Sequence, residues 1–369
     1  MCSTDCGMAD RNYWLAFSYV KGIGSVRYKK LLAYFGSLST AWQAGRSDLL
    51  QSGLTPKVVD AIFTTRNQLT VEDLETGLKK RGISCLIWND PAYPKYLFEI
   101  AQAPPVLFLI GELKPQDDLA FAIVGTRNVT AYGRQVTKDT AECLAGSGVT
   151  IVSGLARGVD AIAHQTALDT GGRTIAVLGS GVDVIYPPEH RKLAEAISRN
   201  GAILSDYPPG TKPDGINFPP RNRIISGLSR GVLVVEAGER SGALITAKFS
   251  VEQGREVFAV PGSVLAAMSR GTNNLISQGA TPMTNPKQLL EFLKVKSSFI
   301  RKPEPQTLNL DEAEILHALG SESLHIDDLA AKLSYSMERL SALLIMMELE
   351  GFVTKTASMQ YSALIDWHY

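Results

Sequence analysis

Residues 149–164 read VTIVSGLARGVDAIAH: a short β-rich run, a Ser-Gly turn, and then apolar residues at helical spacing. A strand that stops at glycine and passes straight into a helix is the repeating unit of a parallel α/β sheet, because the helix carries the chain back for the next strand. The pattern recurs on both sides. Phe121–Val124 ends at Gly125-Thr126-Arg127, and Thr174–Leu178 ends at Gly179-Ser180-Gly181. Farther out, Ser84–Trp88, Val106–Ile110, Ala202–Leu204, Val232–Val235 and Val257–Val260 extend the series. Most are nearly continuous apolar runs rather than alternating ones, as expected when helices cover both sheet faces. The span 105–295 is therefore predicted to be a doubly wound α/β domain with a parallel sheet.

The flanks read differently. Residues 10–82 are predicted to be helical, with Trp14, Leu15 and Phe17, then Leu31, Leu32, Tyr34 and Phe35, then Val58, Val59 and Ile62 at three-to-four spacing. Lys21-Gly22-Ile23-Gly24 has the form of a helix-hairpin-helix, whose hairpin N–H groups can hold a DNA phosphate; Lys21, Arg27, Lys29 and Lys30 add charge. The same residues also suit a plain turn between two helices. Residues 297–307 (SSFIRKPEPQT) are polar and Pro-rich, as a linker is. Beyond it, Asp311–Leu319, Ile326–Leu333 and Met337–Gly351 read as helices and Phe352–Leu364 as a β tail, which is the order of a winged helix. The predicted organisation is a helical domain at 10–82, the α/β domain at 83–296, the linker, and a winged-helix-like domain at 308–369.

Composition narrows the class. A chain of 369 residues suits two or three domains, and 45% hydrophobic with 20% charged residues is ordinary for a globular protein. Lys plus Arg and Asp plus Glu are equal at 37 each, so any nucleic-acid contact must come from a local patch. Cys2, Cys6, Cys85 and Cys143 make no Cys-x-x-Cys pair and no disulfide framework, which suggests reduced thiols in a cytoplasmic protein. The start has no signal-peptide pattern, and apolar runs such as Val106–Ile110 fall far short of the roughly 20 residues of a membrane span. The histidines at 164, 190, 317, 325 and 368 show no metal spacing, so neither metal nor cofactor is expected.

The candidate site lies where strands end. In open α/β sheets ligands bind beyond the carboxyl ends of the strands, and free N–H groups at helix starts favour phosphate. Three Gly-rich turns on one sheet edge, opening helices, predict such a site: Gly125-Thr126-Arg127, Ser153-Gly154-Leu155-Ala156-Arg157-Gly158 and Gly179-Ser180-Gly181. Arg127 and Arg157 are placed to add bidentate contacts, and Ser153 and Ser180 to donate. No turn reads G-x-G-x-x-G with a following acid, and no P-loop is present. In Asn217–Ser226, Phe218 offers a ring for base stacking, and Arg221, Asn222 and Arg223 suit phosphates or base edges. Ser241-Gly242, with Lys248 one turn into the run, reads as another anion-friendly helix start. His164, four residues after Asp160, is read as a helix-face hydrogen bond that fixes the turn rather than as half of an acid–base pair.

Taken together, VGTRNVTAYG, VSGLARGVDAIAHQTAL, TIAVLGSGVDVIYPPEHRKL, FPPRNRIISGLSRG and SGALITAKFSVEQGREVFAVPG resemble the ordered motifs of the DprA/Smf family over residues 100–285. The resemblance implies an extended Rossmann-like domain between an N-terminal helical (helix-hairpin-helix or SAM-like) domain and a C-terminal winged helix. It implies a homodimer that binds single-stranded DNA and loads the RecA recombinase, notably in natural transformation, without being an enzyme. Many relatives carry lysine after the Tyr-Pro dipeptide, where this chain has Pro188; Arg191 or Lys192, one turn on, would replace the charge. Asp206 stands where glutamate is expected.

Two other classes fit parts of the sequence. A nucleotide-hydrolysing Rossmann-like enzyme would show P-G-G-x-G-T-x-x-E, and Pro261-Gly262-Ser263 lacks the acid. A winged-helix transcription regulator would carry polar or basic residues on its reading helix, whereas Met337–Gly351 has Arg339 as its single cation. The autonomy of the C-terminal module leads to a prediction. Truncation before Ser298 is expected to leave single-stranded DNA binding in place; titration of the folded truncated protein checks this, and loss of binding would move the site into the module.

Overall fold

The computed structural model describes residues 4–295, 309–320, 323–349, 352–355 and 359–363, the side chains of residues 4–9 and 349 excepted. Cys2 and the Cys6 side chain therefore lie outside the described residues. Of the other two thiols, Cys85 is buried and free, and Cys143 is free.

The N-terminal region holds α1 (Thr4–Ser18), α2 (Ser25–Phe35), α3 (Leu38–Gln43), α4 (Arg46–Gln51), α5 (Pro56–Arg66) and α6 (Leu74–Lys80). Its apolar stripes converge: Trp14 stacks near Tyr28 with ring centroids 5.6 Å apart, and Phe17 meets Trp42 edge-on at 5.0 Å. The hairpin turn between α1 and α2 has Gly22 at φ +90°, and the same form recurs at Gly53, φ +82°, between α4 and α5. Arg27 donates to the Gly22 carbonyl, so this cation closes its own hairpin. The helices share one apolar cluster with Cys85, Ile87, Phe108, Leu178 and Ile203 of the sheet. The core of residues 10–82 is thus continuous with that of the sheet, and the chain divides into Met1–Ile300 and Arg301–Tyr369.

The sheet is built from β1 (Ser84–Ile87), then α7 (Lys95–Phe98), β2 (Val106–Gly111), β3 (Ala120–Val124), α8 (Ala131–Gly146), β4 (Thr150–Ser153), α9 (Val159–Asp169), β5 (Thr174–Val177), α10 (Arg191–Asn200), β6 (Gly201–Ser205), α11 (Phe218–Gly227), β7 (Gly231–Val234), α12 (Ala243–Glu252), β8 (Glu256–Ala259), α13 (Arg270–Ser277), β9 (Thr281–Pro282) and α14 (Lys287–Leu293). The spatial order is β1-β2-β6-β5-β4-β3-β7-β8-β9. Neighbours from β6 to β9 are parallel. The edge departs from the parallel expectation: β1 runs antiparallel to β2, and β2 antiparallel to β6 with Phe108 opposite Ser205. A continuous apolar run specifies that both faces are covered, not the direction of the strand, so this edge was invisible in the pattern. Separate apolar clusters lie on the two faces, one around Leu107, Val152 and Ile225 and one around Phe121, Ile151 and Val159. Because β3 is flanked by β4 on one side and β7 on the other, the winding reverses there, and a crevice opens beyond the carboxyl ends of these strands.

One predicted turn behaves differently. The Gly179–Gly181 segment opens no helix; the chain continues to a 3₁₀ turn at Pro188–His190 before α10 begins.

The second unit contains α15 (Leu310–Leu319), β10 (Leu324–His325), α16 (Ile326–Leu333), α17 (Met337–Leu349), β11 (Val353–Lys355) and β12 (Gln360–Ala363), with sheet order β10-β12-β11. Asn309 and Glu312 cap α15 reciprocally, and Ile315, Leu329, Leu340, Leu344 and Val353 form its core. This is a winged helix.

His164 on α9 belongs to the core, not to a catalytic pair. Thr174 Oγ1 donates to the Ile151 carbonyl at 2.8 Å, so it must accept from His164 Nδ1 at 2.7 Å, which assigns the proton to Nδ1. Asp160 makes no bond to it. Burial foremost, then His190 and Arg221, lowers the imidazole to about 3. The unfolded chain therefore binds a proton near pH 6.5 that the native protein refuses. Stability is lost as pH falls from about 6.5 towards 3, by about 1.4 kcal/mol per pH unit from this group. We expect His164→Asn to flatten the acid limb of a urea-midpoint series between neutral pH and pH 5; an unchanged slope would contradict the assignment.

Candidate nucleic-acid interface

At the switch point lies a cavity of about 810 Å³. The turn after β3 contributes Gly125, Thr126 and Arg127; the loop after β7 and the start of α12 contribute Gly238, Arg240, Ser241, Gly242 and Ala243; α11 contributes Phe218, Arg221 and Asn222. Ala156, Asp160, Tyr186 and Met268 also line it. The sequence pointed to Gly125–Arg127, Ala156, Phe218, Arg221, Asn222 and Ser241-Gly242 without a means of knowing that β7 returns beside β3.

Asp160 and Arg221 organise the second Gly-rich turn. Asp160 Oδ2 accepts from Gly154 N at 3.1 Å and Ala156 N at 3.3 Å. Between those two amides Leu155 sits fully buried at φ +58°, a left-handed conformation that non-glycine residues adopt only when surroundings enforce it. From the other side Arg221 donates to the Gly154 carbonyl at 2.9 Å, to the Val177 carbonyl, and to Asn222 Oδ1 at 3.1 Å. A Cβ on Gly154 would come within 2.8 Å of both Arg221 and Asp160, so only glycine fits between them. Burial pushes the Asp160 carboxyl up although Arg221 opposes the shift, and burial brings Arg221 down to about 10. His190 Nδ1 lies 2.9 Å from the Leu155 carbonyl and holds the same turn.

The first turn has a different device. Glu236, only 2% exposed, reaches the start of α8, where it accepts from Thr130 N at 3.0 Å and Thr130 Oγ1 at 2.6 Å. The helix start at which phosphate was expected already holds a carboxylate of the protein, and Asp160 does the same in the first turn of α9. The α12 start, Ser241–Ala243, remains turned to the cavity.

Several predicted residues serve the frame rather than the surface. Ser153 Oγ donates to the Ile123 carbonyl and Ser180 Oγ to the Val184 carbonyl, each at 2.6 Å, so neither hydroxyl is a phosphate donor. Gly179 lets Phe218 approach, since its Cβ would stand 2.7 Å from the ring, and Gly181 packs against Gly210. Arg223 donates to the carbonyls of Gln102 and Pro220 and pairs with Asp206 at 2.8 Å; the shorter Asp206 side chain spans that gap. Arg157 borders a small annex beside Tyr186 and Phe218, but its guanidinium pairs with Glu189 at 2.5 Å. Arg191, Lys192 and Lys248 are exposed and line neither cavity.

Free positive charge in the cavity comes from Arg127 and from Arg240, which sequence reasoning passed over although it precedes Ser241 directly. Among the described residues neither pairs with a carboxylate. Arg127 lies 5.9 Å from the centroid of Phe218, and the Tyr186 and Phe218 rings are 5.7 Å apart, tilted by 39°. The carboxylates nearest the strand ends are all engaged: Asp183 accepts from Gly210 N at 2.8 Å and pairs with Arg81, and the bonds of Asp160, Asp206 and Glu236 are given above. Among the described residues no cluster of His, Cys, Asp or Glu suits a metal, and no helix is long and apolar enough to cross a membrane.

Fold and cavity define a Rossmann-like protein with an arginine-lined cleft and an appended winged helix. The chain belongs to the DNA recombination-mediator protein A (DprA/Smf) family, whose profile matches residues 84–294; the DprA winged-helix profile matches residues 301–357. It is 38% identical to Protein Smf of Synechocystis sp. over 96% of this chain and 98% of that one. It is 45% identical to the DNA processing protein DprA of Streptococcus pneumoniae over 54% of this chain and 71% of that one. The X-ray structure of DprA from Streptococcus pneumoniae superposes with a TM-score of 0.66 at 36% identity, covering 76% of this chain and 97% of that one. DNA processing protein A from Helicobacter pylori, studied for its single-stranded DNA binding mode, gives 0.52 at 34% identity over 57% of this chain and 95% of that one.

The turn supplies a stability prediction. Gly158 has φ +76°, and a Cβ there would lie 2.3 Å from the Thr126 carbonyl. Gly158→Ala is expected to cost about 2 kcal/mol or more, from backbone strain plus a clash that backbone must absorb. Urea denaturation measures it; a loss below about 0.5 kcal/mol, the range of neutral surface changes, would show that the turn is pliable.

Proposed function

We propose that this chain is a non-catalytic mediator that binds single-stranded DNA in the switch-point cavity, acts as a homodimer, and loads the RecA recombinase during recombination and DNA uptake. The observation that carries the binding is the cavity's imbalance: among the described residues Arg127 and Arg240 pair with no carboxylate, while Asp160, the one carboxylate of the lining, is buried and bonded to the turn. Phosphates meet the two guanidinium groups and the α12 start, and an unpaired base finds the Phe218 and Tyr186 rings beside them. Duplex DNA offers no unstacked base to those rings. RecA loading, the dimer and the link to transformation rest on family membership, and the family's binding chemistry agrees with the cavity.

The absence of catalysis is supported by the use of the carboxylates. A hydrolase needs a base, nucleophile or metal free to act. Asp160, Asp183, Asp206 and Glu236 each hold a backbone or a side chain in place instead.

Titration with single-stranded and duplex DNA across a salt series tests the assignment. Arg127→Ala is expected to weaken single-strand binding by about 1.5–3 kcal/mol, the range of a charge-assisted hydrogen bond, and to lower the log–log salt slope by about 0.7. Arg223→Ala should leave that slope unchanged, because its guanidinium is already bonded to three protein acceptors. Equal affinity for duplex and single strands would overturn the base-stacking role. Light scattering reports the dimer, RecA filament assembly on single strands reports loading, and nucleotide turnover lost in Asp160→Asn or Glu236→Gln would establish an enzyme.

A further inference from the structure

The neutrality of the chain is a sum of two opposite charges. Residues 308–369 contain ten Asp and Glu and three Lys and Arg, whereas residues 1–307 contain 27 Asp and Glu and 34 Lys and Arg. The winged-helix module thus carries a net charge of −7 and the rest of the chain +7. A winged helix with this charge is the opposite of a DNA reader, since affinity for nucleic acid rests first on cations facing phosphates.

The three remaining cations each have a partner within the module. Lys332 Nζ donates to the Ala318 carbonyl at 2.7 Å. Arg339 pairs with Asp311 at 2.6 Å and lies 4.6 Å from the Tyr335 ring centroid. The Lys355 ammonium lies 6.0 Å from the Tyr361 ring. The acids are outside: Asp327, Asp328, Glu338 and Glu348 are all exposed. On α17, the reading helix of this fold, Ile345 and Met346 are more than half exposed, between Glu338 and Glu348. Such a face offers phosphates nothing.

We propose that the C-terminal module is an electrostatic gate: a tethered polyanion that weakens the chain's attraction for DNA, so that strands are retained by contacts inside the cavity and not by bulk charge. The proposal rests on the cavity being the DNA site. Because the module is covalently joined through residues 296–308, its local concentration does not fall with dilution of the protein. Its effect on DNA is Coulombic, so it acts over about a Debye length, roughly 30 Å at 0.01 M and 3 Å at 1 M salt. It also explains why a DNA-binding chain shows no net positive charge: the cationic unit is offset by a part of the chain that does not touch DNA.

The test compares the full chain, the full chain carrying Asp327→Asn, Asp328→Asn, Glu338→Gln and Glu348→Gln together, and a chain ending at residue 297, which keeps the first compact unit almost whole. Each is titrated with oligothymidylate, with and without Arg127→Ala. At about 0.05 M salt the neutralised chain should bind about threefold tighter and the truncated chain about tenfold tighter than the full chain, and at about 0.5 M the three should coincide. Equal affinities at low salt, or weaker binding by either variant, overturn the gate. A gap that persists at high salt also overturns it, since only a contact would survive screening. If binding is present but indifferent to Arg127→Ala in every background, the cavity assignment fails instead, and the two failures are told apart.

Discussion

Gly154 sits between a buried carboxylate and a buried guanidinium, and the candidate site depends on that clamp. Asp160 holds the amides on either side of Leu155, and Arg221 holds the carbonyls of Gly154 and Val177. The two charged side chains come from helices far apart in sequence, α9 and α11, so the clamp ties the second strand turn to the crossover that reaches β7. Each charge is largely buried, and the cost is offset by the backbone groups it bonds and by the opposite charge across the turn. The result is a turn that keeps Leu155 in a left-handed conformation and leaves Ala156, Phe218 and Asn222 facing one space.

The same economy governs the helix starts. A helix N-terminus attracts whatever anion is nearest, and in α8 and α9 that anion is internal: Glu236 in one, Asp160 in the other. These carboxylates lock strand to helix but take the positions a phosphate would otherwise occupy. What remains for a ligand is the α12 start, two unpaired guanidinium groups and a pair of tilted rings. That inventory is the chemistry on which the proposed single-strand binding rests. It also separates arginines that look equivalent in sequence: Arg127 and Arg240 face the cavity, whereas Arg157 and Arg223 are bonded to carboxylates.

Charge is partitioned along the chain as well as within the cleft. A cationic unit of helices and sheet and an anionic winged helix share one polypeptide, and net charge alone hides both. The anionic helix α17 fits the family's winged helix in shape and departs from a DNA reader in chemistry.

Much of this protein was legible from its residues. Strand runs ending in glycine, the helices of the N-terminal region and the winged helix follow from local periodicity and turn chemistry, which depend on near neighbours; the linker expected at 297–307 lies outside the described residues. Part of the cavity's lining was legible too, because Gly125–Arg127, Phe218, Arg221 and Ser241-Gly242 lie at strand ends or helix starts, and strand ends face one edge of a parallel sheet. What the sequence could not determine is which partner each polar group finds. The direction of β1 and β2, the bonding of Ser153 and Ser180 to carbonyls, the loss of Arg157 to Glu189, and the pairing of His164 with Thr174 all turn on distances between residues remote along the chain. A side chain's type sets what it can bond, but only the tertiary packing decides whether protein or ligand supplies the partner, because a buried donor or acceptor takes the nearest one that burial allows.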